Sequence, residues 1–328
     1  MSALWLIIPA KVHQTGCTDR WKRAHTKVLT RNWRFMNVAR YYVERSRRRS
    51  KQIALSLNPF SDRCLTGQRE AKLLKENRKV TKTEICGHRG ASGHAPENTL
   101  ASLREAHKLG ISMCELDIQQ TADARFVAHH DFRLSRTTSG KGYLWRKSLS
   151  ELKELDAGSW FDQKFAAEKI PTLDEVLRFA DGKFDLNIEL KIHGHEKDAI
   201  ELLSEKITQY HIENSCLVTS FDHAIVDEIK ERNPTLKVGY IFGKGTYSLT
   251  VFDGSADVLS VHHKIVDREF IATARACRKE VHAWTVNTKT AMKRMLDVGV
   301  DVIITNFPDR LQQVMEAEAE PGAKRKNG

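Results

Sequence analysis

Residues 113–130 read MCELDIQQTADARFVAHH, and this stretch decides the fold. It holds two short runs of strand character, MCELDI (113–118) and RFVAHH (125–130). The link between them is far shorter than the dozen or so residues that a crossover between parallel strands needs. The pair is therefore expected to form an antiparallel hairpin. The remaining strand candidates alternate in another way. EICGHR (84–89), LNIELK (186–191), CLVTS (216–220), KVGYIF (237–242), DVLSVH (257–262), VHAWTV (281–286) and DVIIT (301–305) are mostly separated by amphipathic stretches such as TLASLREAHKLG and HAIVDEIKERN. Setting one hairpin strand aside leaves eight to run parallel.

Strand-helix alternation of this kind implies a parallel sheet covered by helices. It lasts about 230 residues, close to the ~250 typical of a TIM barrel. The expected fold is α/β, a TIM (β/α)8 barrel with a small hairpin and helical insertion after the second strand. A doubly wound open sheet is the alternative. No GxGxxG follows any strand, so its dinucleotide-binding form has no support. Helix punctuation agrees with the alternation. Ser148 with Glu151, and Thr172 with Glu175, read as capping boxes, and Gly110 and Gly299 stand where helices should stop.

Charge divides the chain into unlike parts. The formal net charge is +11, but 20 of the 53 Lys and Arg and only 6 of the 42 Asp and Glu fall in residues 1–84. The rest carries 33 basic against 36 acidic groups, without the basic stripe that a nucleic-acid-binding domain needs. The expected organisation is a basic N-terminal extension (1–83), a catalytic barrel (84–317) and a disordered tail (318–328). For the extension three readings stand: a poorly ordered or helical arm (Met36 could start a shorter chain), a transit peptide, or an arm for weak contact with anionic lipid or nucleic acid. The six cysteines lie 22 or more residues apart with no CxxC pair, which fits reduced thiols in a cytoplasmic protein better than zinc or disulfides. No run approaches the ~20 apolar residues of a membrane span. The apolar start ALWLIIPA precedes its positive charges, the reverse of a secretory signal.

In a barrel, reactive groups belong at the C-terminal strand ends. The polar residues there are His88, Arg89, Glu115, Asp117, Glu189, Lys191, His262 and His263. Buried strands do not carry such groups idly. Taking TADA (121–124) as a four-residue turn pairs His130 with Glu115 and residue 128 with Asp117. Opposed residues share a face, so His130 joins the carboxylates and His129 points away. Glu115, Asp117 and Glu189 form an all-oxygen ligand set suited to one hard divalent cation, Mg²⁺ or Ca²⁺. His88 and His130 can exchange protons near neutrality, and Arg89 and Lys191 can hold phosphate. Together these groups suit phosphate-ester cleavage.

Eleven motifs follow in order: GHRG (87–90), PENT (96–99), ELD (115–117), HD (130–131), RTTSG (136–140), LDAGSWF (155–161), IPTLDEVL (170–177), IELK (188–191), TSFD (219–222), WTVN (284–287) and TNFP (305–308). Over roughly residues 84–317 the chain resembles the glycerophosphodiester phosphodiesterase family. The resemblance implies a TIM barrel that hydrolyses glycerophosphodiesters to glycerol 3-phosphate and an alcohol. It implies His88 and His130 as acid and base, and Glu115, Asp117 and Glu189 as metal ligands. Arg89 and Lys191 would hold the phosphate, with Phe221 and Trp284 walling the glycerol pocket. A lysophospholipase D or phospholipase C-like enzyme at a membrane surface is the alternative. Glu97 and Asn98 have two readings, site contact or helix capping, and His262 and His263 have no assigned role. The RTTSG loop could approach phosphate or simply turn. The family usually has Asp where Asn306 stands. The small-molecule substrate is the expected partner, and neither the alcohol group nor the oligomeric state follows from the sequence.

Deleting residues 1–80 is expected to leave a soluble enzyme with kcat/KM within about tenfold of the full chain, roughly 1.4 kcal/mol. A larger loss in the truncated protein would place the arm inside the domain.

Overall fold

Eight parallel strands close into a barrel in the computed structural model, which describes residues 83–319. The strands are β1 (Glu84–Gly87), β2 (Met113–Gln120), β4 (Asp185–Leu190), β5 (Cys216–Ser220), β6 (Lys237–Phe242), β7 (Val258–His262), β8 (Glu280–Trp284) and β9 (Val302–Thr305). Each pairs with its neighbour in sequence, and β1 closes the ring by pairing with both β9 and β2. A ninth strand, β3 (Phe126–Ala128), runs antiparallel to β2 as the hairpin predicts. The expectations for residues 1–82 and 320–328 lie outside the described residues.

Alternation along the strands explains where the core sits. Leu116 and Ile118 of β2, Ile188 and Leu190 of β4, and Leu259 and Val261 of β7 point outward and pack in the main apolar cluster. That cluster takes in one face of α1 (Leu100–Lys108), α3 (Leu173–Ala180), α4 (Ala199–Gln209), α5 (His223–Arg232), α6 (Arg268–Ala276) and α7 (Lys289–Val298). The intervening residues, Glu115, Asn187, Glu189, Thr219, Ser260 and Trp284, line a cavity at the barrel mouth. Thr172 caps α3 with Glu175 as a reciprocal capping box, and Ser148 does the same with Glu151 for the short α2 (Leu149–Lys153). Gly299 ends α7 in the left-handed conformation. The β6–β7 crossover departs from the alternation, carrying one short 3₁₀ turn (Leu249–Phe252) in place of an α-helix. The last helix, α8 (Pro308–Ala319), runs two residues into the stretch expected as tail. Among the described residues no helix is long and apolar enough to cross a membrane.

The hairpin register differs from expectation by one residue. Ile118 faces Ala128, Gln119 faces Val127, and Gln120 faces Phe126. Thr121 continues the pairing, its amide donating to the Arg125 carbonyl at 2.8 Å, so the turn has three residues rather than four. Ala124 takes the left-handed conformation that such a turn needs at its last position (φ 58°). Val127 of β3 joins Leu134, Leu144, Leu152, Ala157 and Ile170 in a separate small core. This is the insertion after the second strand, and it folds around its own apolar centre.

Leu134 is fully buried in that small core. Leu134→Ala is expected to destabilise the insertion by about 2–5 kcal/mol through lost burial and the residual cavity. Hydrogen exchange in residues 126–172 would report the change, and unaltered protection there would mean that the cluster does not hold the insertion together.

Candidate active site

The site begins at the end of β1, where the chain must turn over the barrel rim within a few residues. Arg89 takes a left-handed φ of 55° and Gly90 one of 80°. A Cβ on Gly90 would lie 2.7 Å from the Ser102 backbone carbon, so only glycine fits. The Arg89 carbonyl accepts from the Asn98 amide (3.1 Å) and the Ser102 hydroxyl (2.8 Å), while the Arg89 amide donates to Glu115 Oε2 at 2.9 Å. Left-handed non-glycine residues are uncommon and persist where surrounding contacts over-determine them. Here those contacts aim the Arg89 guanidinium into the mouth.

Glu115, Asp117 and Glu189 converge because β2 and β4 pair with Asp117 opposite Glu189. Each offers a carboxylate oxygen, and the three oxygens lie within 4.8 Å of one another. Asp117 is 1% exposed. Burial pushes its pKa up, but Lys191 and Arg89 outweigh burial and hold it well below the usual carboxylate range. Lys191 Nζ stands 2.9 Å from Asp117 and also pairs with Glu189, and Arg89 Nε lies 3.2 Å from Asp117. Glu189 is pushed up to about 7 by burial and then by Asp117. Burial, with Asp117 and Glu189 adding, raises Glu115 well above its ordinary value. The cluster is thus short of positive charge. An all-oxygen donor set under that strain fits a hard divalent cation.

His88 and His130 line the same cavity as Glu115 and Glu189. His88 Nδ1 meets Asn306 Oδ1 at 2.6 Å. An amide oxygen only accepts, so Nδ1 carries the hydrogen and Nε2, 3.9 Å from Glu115, is left as acceptor. Burial holds this imidazole down to about 4, neutral at pH 7. His130 is arranged differently, with Nδ1 2.6 Å from Asp131 Oδ1. Asp131 is held well below its ordinary pKa by Arg136, whose Nε donates to it at 2.6 Å.

The two adjacent histidines point apart for a reason other than the expected pairing of residue 128 with Asp117. With the observed register Asp117 faces position 129, not 128, and the His129 amide donates to the Asp117 carbonyl at 3.0 Å. Alternation would then turn His129 inward. It does not apply, because β3 ends at Ala128. His129 is buried with Nε2 directed at the Arg133 carbonyl (3.5 Å), while His130 lines the cavity.

Two residues left ambiguous by the sequence, Glu97 and Asn98, belong to the site. Thr99 does the capping of α1. Asn98 donates to Asp117 Oδ2 at 2.8 Å and accepts from the Asp117 amide at 3.1 Å, and Glu97 bridges Arg89 (2.7 Å) and Arg136. Arg136 of the RTTSG loop is accordingly directed at carboxylates. Phe221 and Trp284 meet edge to face with centroids 5.9 Å apart, and Trp284 Nε1 is buried without a partner among the described residues. His262 packs its ring against Trp284 at 5.2 Å, whereas His263 turns to Arg294. Arg89 and Lys191 are engaged by carboxylates rather than standing free.

The described architecture is that of a phosphodiesterase barrel, and comparison with known proteins agrees. Residues 88–310 match the model of the glycerophosphoryl diester phosphodiesterase family. The chain is 36% identical over 234 residues to a glycerophosphodiester phosphodiesterase of Caldanaerobacter subterraneus, covering 70% of this chain and 96% of that one. It is 33% identical over 241 residues to a glycerophosphodiester phosphodiesterase of Bacillus altitudinis, covering 71% and 98%. A solved phosphodiesterase of Oleispira antarctica, in complex with the product sn-glycerol-3-phosphate, superposes with a TM-score of 0.67 at 32% identity, covering 71% of this chain and 96% of that one. The chain belongs to the glycerophosphoryl diester phosphodiesterase family.

Proposed function

We propose that the chain hydrolyses glycerophosphodiesters to sn-glycerol 3-phosphate and an alcohol, by acid–base work of His88 and His130 beside one divalent cation, Mg²⁺ or Ca²⁺. The observation that carries this reading is the convergence of three carboxylate oxygens within 4.8 Å, with Glu115 and Glu189 lining a cavity together with both imidazoles. The product bound by the Oleispira relative supports the same substrate class.

Glu115, Asp117 and Glu189 would hold the cation. Bound there, it would draw charge from the phosphoryl oxygens and lower the cost of the transition state. Arg89 and Lys191, poised on Asp117, can shift part of their charge to an entering phosphate. Phe221 and Trp284 would wall the glycerol, with Trp284 Nε1 free to donate to a glycerol oxygen. His88 Nε2 takes the proton of the attacking glycerol 2-hydroxyl as its oxygen bonds to phosphorus. The bond from phosphorus to the leaving alcohol breaks, and His130 supplies the proton that this alkoxide needs. Water then opens the cyclic phosphate with the roles reversed: His130 takes the proton of water as its oxygen bonds to phosphorus, the bond from phosphorus to the glycerol 2-oxygen breaks, and His88 returns a proton to that oxygen.

Chelation is expected to abolish release of glycerol 3-phosphate from glycerophosphodiesters, and Mg²⁺ or Ca²⁺ to restore it. Glu189→Gln should raise the cation concentration needed, since it removes an anionic ligand with little change of shape. Full turnover in excess chelator would take the cation out of the mechanism.

His130→Ala should lower kcat by about 10²–10⁴-fold, the usual contribution of a positioned acid, with little change in melting temperature. His129→Ala should instead lower the melting temperature and keep most activity, because that side chain is buried away from the cavity. An inactive His129→Ala beside an active His130→Ala, both folded by circular dichroism, would exchange the two assignments.

A further inference from the structure

Against the cavity that holds the two imidazoles lies a second and larger one, of about 760 Å³ against about 90 Å³. The two share His130, Glu189 and Phe221, so a molecule held in the first reaches the second past the imidazole assigned to the leaving alcohol. Clefts of roughly 300–1,000 Å³ hold drug-sized ligands, and a small polar alcohol would leave most of this one to water.

The wall is formed between the insertion and the loops after β4 and β5. Phe132, Tyr143, Ile192 and Phe221 give it an apolar character. Phe132 and Phe221 are 50% and 51% exposed, an unusual use of phenylalanine unless something covers it. Phe132 does not swing free: its ring packs edge-on against His193 with centroids 3.7 Å apart.

Charge in the wall speaks against a cationic alcohol. A quaternary or primary ammonium seeks an open aromatic face or an unengaged carboxylate. The Tyr143 face is covered by the Arg133 guanidinium at 4.5 Å, and the half-exposed rings of Phe132 and Phe221 share the wall with that guanidinium, whose charge opposes a second cation. All three carboxylates are engaged: Asp131 by His130 and Arg136, Glu189 by Lys191, and Asp222 by the first amides of α5. Arg133 adds positive charge of its own.

We infer that this second cavity is the binding site for the alcohol half of the substrate, and that it selects alcohols carrying an apolar acyl or aryl group over small polar ones. The inference rests on the hydrolase reading above, which supplies the direction of the leaving group.

The test uses the full chain and three soluble substrates: glycerophosphoethanolamine, its N-hexanoyl derivative and its N-benzoyl derivative. All three release glycerol 3-phosphate, so kcat/KM is read from one product. The acylated substrates are expected to exceed the parent by at least about tenfold, the scale on which apolar pockets discriminate. The hexanoyl and benzoyl arms tell a chain site from a ring site. Phe132→Ala should bring the ratio of acylated to parent kcat/KM close to one, and Phe132→Leu should restore most of it. Parent turnover with no advantage for either derivative in the wild type would overturn the inference and leave the hydrolase reading standing. Turnover of none of the three would remove both. The wild-type ratio decides the matter even if the alanine variant does not fold.

Discussion

A carboxylate almost wholly removed from water, Asp117, is the constraint around which the rest of the site is arranged. An ionised carboxylate in such a place costs many kcal/mol unless charge and hydrogen bonds surround it. Its partners come from three separate parts of the barrel: Arg89 from the end of β1, Asn98 from the loop before α1, and Lys191 just past β4. Meeting that demand forces the β1 end into left-handed turns at Arg89 and Gly90. It brings Glu115 and Glu189 along, because they occupy the same face of β2 and the paired position on β4. Removing one partner of a buried pair typically costs about 3–5 kcal/mol. The HRG and PENT segments therefore serve the fold and the candidate site at once.

The barrel was legible because its signals are local. The residues that face the helices alternate with those that face the mouth, and strand-helix periodicity repeats along the chain. The carboxylate trio was legible for the same reason, since charge at successive inward positions of β2 has few structural uses. What escaped was conformation that depends on distant parts. The turn after Gln120 closes with a left-handed Ala124, a position that glycine would have announced and alanine does not. The register moved by one residue as a result. His130 nonetheless reaches the cavity, because the strand stops at Ala128 and alternation no longer governs where the next two rings point.

The roles of Glu97, Asn98 and Asn306 were hidden for another reason. PENT before a helix reads equally well as a cap, and the capping falls to Thr99, with Glu168 accepting from the Ala101 amide, and not to Glu97 or Asn98. Asn306 lies 218 positions from His88, yet its side-chain oxygen sets which ring nitrogen of His88 bears hydrogen. A carboxylate in that place would fix the same tautomer and add a negative charge. The amide fixes it without the charge, so the imidazole remains a weak base beside an already anion-rich cluster.

The two imidazoles belong to differently anchored parts of the molecule. His88 sits at the end of a strand in the closed ring, whereas His130 is carried with Asp131 and Arg136 on an insertion that packs around its own few leucines. Small satellite cores open more readily than the main one. Heating should then separate two events that most enzymes show as one. With His130 as the proton donor proposed above, catalysis would cease when the satellite loosens and that ring drifts from its mark, while the barrel beneath still holds its shape. Thermal inactivation of such a molecule is a loss of alignment before it is a loss of fold.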